Sequence, residues 1–154
     1  MKKLITVFLF LLTVSCGFKV VDGGKRSNFD ISEITTSGDK KISYKIKNKL
    51  MLVSTSSEKK LISVNLSSGK EKTIKEKNIK NEITKYQITI STNVEFNVVN
   101  DINIYKFSKS RSGDYNVLNQ YSQTLNNEKK LIELLTENLA EDIIDQLINS
   151  VNAI

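Results

Sequence analysis

The clearest pattern in the chain is a strict alternation over residues 85–98. Tyr86, Ile88, Ile90, Thr92, Val94, Phe96 and Val98 fall on one side; Lys85, Gln87, Thr89, Ser91, Asn93, Glu95 and Asn97 fall on the other. A period of two held this long predicts a strand with one buried and one wet face, in an antiparallel sheet covered on a single side. Residues 40–53 follow another period. Ile42, Ile46, Leu50 and Val53 recur at i, i+4, i+8 and i+11, with Lys41, Lys45, Lys47 and Lys49 between them. That is an amphipathic helix with a basic outer face.

The remaining elements fall around these two. Phe29-Asp30-Ile31-Ser32-Glu33-Ile34 predicts a first strand, and Thr36-Ser37-Gly38-Asp39 ends it and supplies capping residues for the helix. Leu61-Ile62-Ser63-Val64-Asn65-Leu66 predicts a second strand. Its continuation through Ser67-Ser68-Gly69 to Thr73-Ile74 is open: one long bent strand and two short ones fit equally, with Gly69 as a bulge or a turn. Asn100-Asp101 predicts a tight turn into a fourth strand carrying Ile102, Ile104, Tyr105 and Phe107, interrupted at its polar end by Ser112-Gly113-Asp114. Asn126-Asn127 then caps a long helix with a stripe of Leu131, Leu134, Leu135, Leu139, Ile143, Leu147 and Val151, thickened by Ile132, Ile144 and Ile148. The order β-α-β-β-β-α predicts an α+β fold, with two helices packed on one face of a four-stranded, mainly antiparallel sheet.

The amino-terminal end does not belong to that fold. Lys2 and Lys3 precede an uncharged, largely apolar run from Leu4 to Val14, and Ser15 stands before Cys16, the only cysteine of the chain. A positive start, a short apolar run and a small-residue cleavage site make a secretory signal. With a cysteine just after the cut, the sharper reading is a lipoprotein signal over residues 1–15. Cys16 would then be the lipid attachment site, carrying S-diacylglycerol and an N-acyl chain. A cleaved signal with an incidental cysteine is the alternative. An uncleaved membrane span fails on length, since crossing a bilayer takes ~20 apolar residues. Residues 16–28, with Gly17, Gly23, Gly24 and Ser27, are expected to form a lipidated tether, and residues 29–154 a single domain.

Charge sharpens the picture. Losing Lys2 and Lys3 lowers the formal net charge from +6 to +4. Residues 131–154 hold Glu133, Glu137, Glu141, Asp142 and Asp145 and no basic residue, so a basic body carries an acidic final helix. For an exported chain such a body suits anionic lipid better than nucleic acid. The acidic face is either solvated or set against a basic partner, and a bound cation is the weaker reading. Lys70, Lys72, Lys75, Lys77 and Lys80 crowd the segment between two strands, and Lys85 opens the next. They could grip phosphates, or simply guard a strand edge against aggregation. Catalytic means are thin. The chain has no histidine, no free thiol once Cys16 is acylated, no nucleophile elbow and no phosphate-binding glycine loop. Neither an enzyme nor a resident cofactor or metal is expected.

Four pieces in order resemble the LPS-assembly lipoprotein LptE family. They are Cys16-Gly17-Phe18, Lys85-Tyr86-Gln87-Ile88, Arg111-Ser112-Gly113-Asp114-Tyr115, and Asn127-Glu128 leading to a helix ending Leu139-Ala140-Glu141-Asp142-Ile143-Ile144-Asp145-Gln146-Leu147. The resemblance implies an anchor in the outer membrane on its periplasmic side. It also implies a partner, the large LptD-type β-barrel, which such proteins plug and help assemble, and lipopolysaccharide as ligand. No family contact residue maps onto this chain position by position, so Lys77, Lys80 and Lys85 are candidate lipopolysaccharide contacts by charge and location alone. Two other classes compete: a ligand- or lipid-binding envelope lipoprotein acting without a barrel, which requires a deep apolar pocket, and a purely structural envelope lipoprotein.

Overall fold

The computed structural model describes residues 29–54 and 60–154. Its elements are β1 (Phe29–Gly38), α1 (Lys40–Val53), β2 (Lys60–Lys77), β3 (Ile83–Val98), β4 (Tyr105–Asn116) and α2 (Tyr121–Asn152). The four strands form one sheet in the order β1-β2-β3-β4. β1 and β2 run parallel, joined through α1 as a parallel pair requires; the other two pairings are antiparallel. Both helices contribute to the same core as one face of the sheet, so the expected α+β layering holds.

The alternation of β3 governs the packing. Ile88, Ile90, Thr92, Val94 and Phe96 are buried, and the helices meet them with Ile42, Ile46 and Leu50 from α1 and Leu139, Ile143 and Leu147 from α2. Phe96 stacks on Tyr105 across the strand pair at 5.2 Å. One polar pair lies within this layer: Ser68 and Thr92 are both buried, and their hydroxyls bond each other at 3.0 Å. The helix over 40–53 has the expected bounds. Asp39 caps it by accepting from the N–H groups of Lys41 and Ile42.

Several expectations fail locally, each for a physical reason. β1 does not stop at Ile34 but runs to Gly38, because β2 offers it a partner as far as Ser68. Gly38 ends it at φ +80°, where an added Cβ would lie 2.0 Å from the Ser68 carbonyl oxygen. β2 is one continuous strand. Gly69 is neither bulge nor turn, since it pairs in register with Ser91 and the irregularities fall later, around Glu76. Lys70, Lys72, Lys75 and Lys77 therefore lie within a strand, not between two. Ile102 and Ile104 belong to the exposed loop before β4, which starts at Tyr105. Ser112-Gly113-Asp114 does not interrupt β4; every residue there pairs with β3. Gly113 instead lets α2 approach, since a Cβ there would lie 2.8 Å from Leu131 Cδ1.

Asn126 and Asn127 cap nothing. α2 begins at Tyr121 after Gln120, and Thr124 secures the incoming chain by accepting from Leu118 N–H at 2.9 Å. Leu134 leaves the expected stripe and is 54% exposed. Among the described residues no helix is long and apolar enough to cross a membrane.

Candidate functional site

The face of the sheet away from the helices carries the polar half of each alternation. On β3 these are Gln87, Thr89, Ser91, Asn93, Glu95 and Asn97, flanked by Ser63, Asn65 and Ser67 of β2 and by Lys106, Ser108, Ser110 and Ser112 of β4. Cross-strand partners knit it together. Thr89 and Ser112 hydroxyls bond at 2.8 Å, Ser108 donates to Asn93 at 2.7 Å, Lys106 donates to Glu95 at 2.6 Å, and Ser63 bonds Asn97. These pairs order the side chains in place of a covering layer. The result is a broad hydrophilic surface, mostly uncharged and built on rigid strands.

At one end of this face lie the lysines singled out in the sequence. The β2–β3 hairpin is organised by Asn78, whose side-chain oxygen accepts from the N–H groups of Lys80 and Glu82, each at 2.9 Å. Asn81 follows with φ 63°, and Ile79 is fully exposed between the lysines. Lys77 donates to Asn81 Oδ1 at 3.0 Å, so Lys77 and Lys80 share the hairpin. Lys85 sits further back, 2.9 Å from Glu76, whose hydrogen bond and charge raise the lysine's pKa. Nearby Asp114 is held below the usual carboxylate range by the Lys75 ammonium. Lys77 and Lys80 thus share one hairpin, which also carries Glu82, while Lys85 is ion-paired with Glu76. Cys16 lies outside the described residues.

The acidic face of α2 meets a basic partner within the chain. Lys49 reaches Glu141 at 3.0 Å and Lys45 reaches Glu133 at 3.6 Å. Arg111 of β4 grips Asp142 with two bonds, Nε to Oδ2 at 2.5 Å and Nη2 to Oδ1 at 2.6 Å, which lowers the Asp142 pKa. No group of three or more metal-ligating side chains gathers among the described residues.

A second cationic feature was not legible in the sequence because its parts come from three elements. Between the start of α1 and the first half of α2 lies a half-open groove of about 300 Å³, floored by Ile42 and Ile132. Lys41, Lys45, Lys70 and Lys129 stand around it together with Asp39, Glu128 and Glu133, and Lys45 is paired with Glu133. Beside it Lys72 is held at 2.7 Å from Glu128 and 4.3 Å from the Tyr86 ring centre, while Tyr115 donates to Glu128 at 2.7 Å. Burial pushes the Glu128 carboxyl up, but the hydrogen bonds from Lys72 and Tyr115 outweigh it and leave the carboxyl below its ordinary value. Burial pulls Lys72 down and the same partnership with Glu128 overrides it, so its pKa is raised. Burial raises that of Tyr115. This cluster is a structural clasp between β2, β4 and α2.

No protein-family model matches the chain, and no curated protein matches it in sequence. Its fold, however, is found among solved structures. The rare lipoprotein B of Shewanella oneidensis superposes with a TM-score of 0.55 at 14% identity, over 79% of this chain and 96% of its own. An uncharacterized lipoprotein B from Nitrosomonas europaea superposes with a TM-score of 0.58 at 9% identity, over 84% and 90%. At such identities the likeness establishes the fold, and the fold is one that solved lipoproteins share.

Proposed function

We propose that this chain is an outer-membrane lipoprotein, acylated at Cys16, that seats inside a large β-barrel of the LptD type. There it helps the barrel assemble and assists the passage of lipopolysaccharide to the cell surface. The observation that carries this reading is the open sheet face: rigid and hydrophilic, with charges such as Lys106 and Glu95 or Lys75 and Asp114 paired across strands, it is the surface a plug needs against the polar interior of a membrane barrel. The likeness of the fold to solved lipoproteins and the Ser15-Cys16 cleavage pattern support the anchor. Lys77 and Lys80 on the hairpin and the four lysines around the groove would attract lipopolysaccharide phosphates, with Lys85 as a weaker contact behind them.

The test has two parts. Metabolic labelling with palmitate should mark the chain and lose its signal in Cys16→Ala; continued labelling of that variant would refute the anchor. A tagged chain extracted in mild detergent should bring down one large β-barrel in equal amount, and its depletion should lower surface lipopolysaccharide. Recovery of the chain alone, with surface glycolipid unchanged, would refute the plug. A second reading, a lipid-binding envelope lipoprotein without a barrel, draws on the lysine-rimmed groove. It predicts instead that the chain extracts alone with a bound anionic amphiphile.

A further inference from the structure

All six elements meet at one end of the domain, where the chain enters through Phe29. β1, β2 and β4 start there, and β3, α1 and α2 finish there. Two bonds make this end a fixed surface. Ser54, just after α1, accepts from Ile31 N–H of β1 at 2.9 Å, and Lys60 of β2 donates to the Val151 carbonyl of α2 at 3.4 Å.

The open sheet face changes character at this end. Ser63 and Asn97 belong to its polar side, and two residues further out along the same two segments Leu61 and Val99 take the equivalent positions. Val99 N–H bonds the Leu61 carbonyl at 2.8 Å, and both side chains are exposed. The loop before β4 carries this apolar rim outward. Asn100 turns it at φ 73°, Asp101 N–H bonds the Val98 carbonyl at 2.9 Å, and Asp101 Oδ1 accepts from Asn103 N–H at 3.0 Å. Held in this way, the loop presents Ile102 at 94% exposed and Ile104 at 64%. On the helical side Met51 and Leu52 stand exposed near the end of α1. Scattered apolar side chains on a surface need no explanation, but six gathered at one end mark a contact.

The sequence before Phe29 indicates what covers them. Cys16 stands thirteen residues ahead of it, and that length of chain spans at most about 45 Å. An acyl chain on Cys16 therefore keeps this end beside the bilayer. The opposite end has exposed apolar side chains too, Ile79 among them, but the eighteen residues of β2 set it roughly 55 Å from the entry point.

We propose that the entry end is a membrane seat: the rim of Leu61, Val99, Ile102 and Ile104, with Met51 and Leu52, settles into the phospholipid interface beside the anchor. The seat holds the anchored chain before it meets a barrel and leaves the polar sheet face open to a partner. This inference rests on the acylation of Cys16 and does not depend on the barrel.

Lipid quenching of fluorescence tests it on the full acylated chain, reconstituted in vesicles of phosphatidylethanolamine and phosphatidylglycerol. With Cys16 acylated, an added cysteine is the only thiol that can take a probe. A probe at Ile102→Cys should shift to the blue, and phospholipid with a nitroxide in its acyl chains should at least halve the emission. A probe at Leu52→Cys should behave alike. Probes at Ile79→Cys on the hairpin and Ser110→Cys on the sheet face should keep their aqueous spectra. High salt should leave the quenching in place, because an apolar contact is not screened. Flotation with the vesicles reports the anchor separately. A chain that does not float overturns anchor and seat together. A floating chain with the Ile102 and Leu52 probes unquenched, or with the Ile79 probe quenched as strongly, overturns the seat alone. Loss of quenching in high salt would overturn it in favour of a contact held by charge.

Discussion

Gly38 and Gly69 both read as breaks in the sequence, and the structure separates them. Gly38 ends β1 at φ +80°, beside the point where Asp39 N–H bonds the Ser68 carbonyl at 2.8 Å. Alanine there meets two penalties. The left-handed backbone costs an L-residue roughly 1–2 kcal/mol. The new Cβ would also sit 2.0 Å from the Ser68 carbonyl oxygen, a backbone atom that cannot rotate away. Relief requires β1 to part from β2 where Asp39 also caps α1, so about one further hydrogen bond is lost, worth ~1 kcal/mol. The expected loss for Gly38→Ala is about 3 kcal/mol, or ~10 °C in Tm for a domain of this size. At Gly69 an added Cβ would meet only Ser91 Oγ, at an ordinary 3.6 Å, with no positive φ. Gly69→Ala should be neutral or stabilising by up to ~1 kcal/mol, through the entropy of the unfolded chain. Urea unfolding followed by circular dichroism, with equal m-values required, measures both. Equal midpoints for the two variants would refute the account of how β1 hands over to α1.

Further outcomes follow from the core and the clasp. Leu139 is fully buried, so Leu139→Ala should cost about 2–5 kcal/mol by chemical denaturation. Thr92→Val strands the buried Ser68 hydroxyl and should cost ~1–3 kcal/mol; adding Ser68→Ala should recover part of that, and strict additivity would count against a bonded pair. Because Glu128 is held below its ordinary pKa in the fold, its contribution is present above the unfolded carboxylate value near ~4.3 and is lost as pH falls through the folded one. The urea midpoint should therefore drop between pH 6 and pH 3, and Glu128→Gln should flatten that drop. An identical acid profile in the variant would remove Glu128 from the clasp.

The parts of the fold legible in the sequence are those whose burial is decided within one element. The alternation of β3 and the stripe of α1 each report a single covered face, and both have their expected faces buried. Where the outcome depended on a partner, local signals misled. Gly69 and Gly113 read as breaks, yet each lies in a strand held by neighbours on both sides or by a helix resting on it. Asn126 and Asn127 read as caps, but Thr124 and the chain before it start α2 nearly two turns earlier. The acidic face of α2 read as either solvated or set against a basic partner, and it meets the basic face of α1 and Arg111. The groove lysines were invisible because Lys41, Lys70 and Lys129 become neighbours only when β2 passes beside both helices.

The same dependence on partners bears on function. A sheet covered on one side usually leaves its other face to water, where polar side chains need no fixed partner. Here that face is ordered by hydrogen bonds that cross from strand to strand, from Ser63 with Asn97 to Thr89 with Ser112. Fixing such side chains loses rotamer entropy that free solvation would have kept. A preorganised hydrophilic face reduces what a partner must order on contact. A lipid carrier, by contrast, would place its recognition surface on the apolar side between helices and sheet. That layer is filled: Ile90, Phe96, Leu139 and Ile143 are at most 2% exposed, and the groove opens at its margin, not at its centre. The proposed contact through the polar face therefore accounts for more of the molecule than storage of a ligand inside it would.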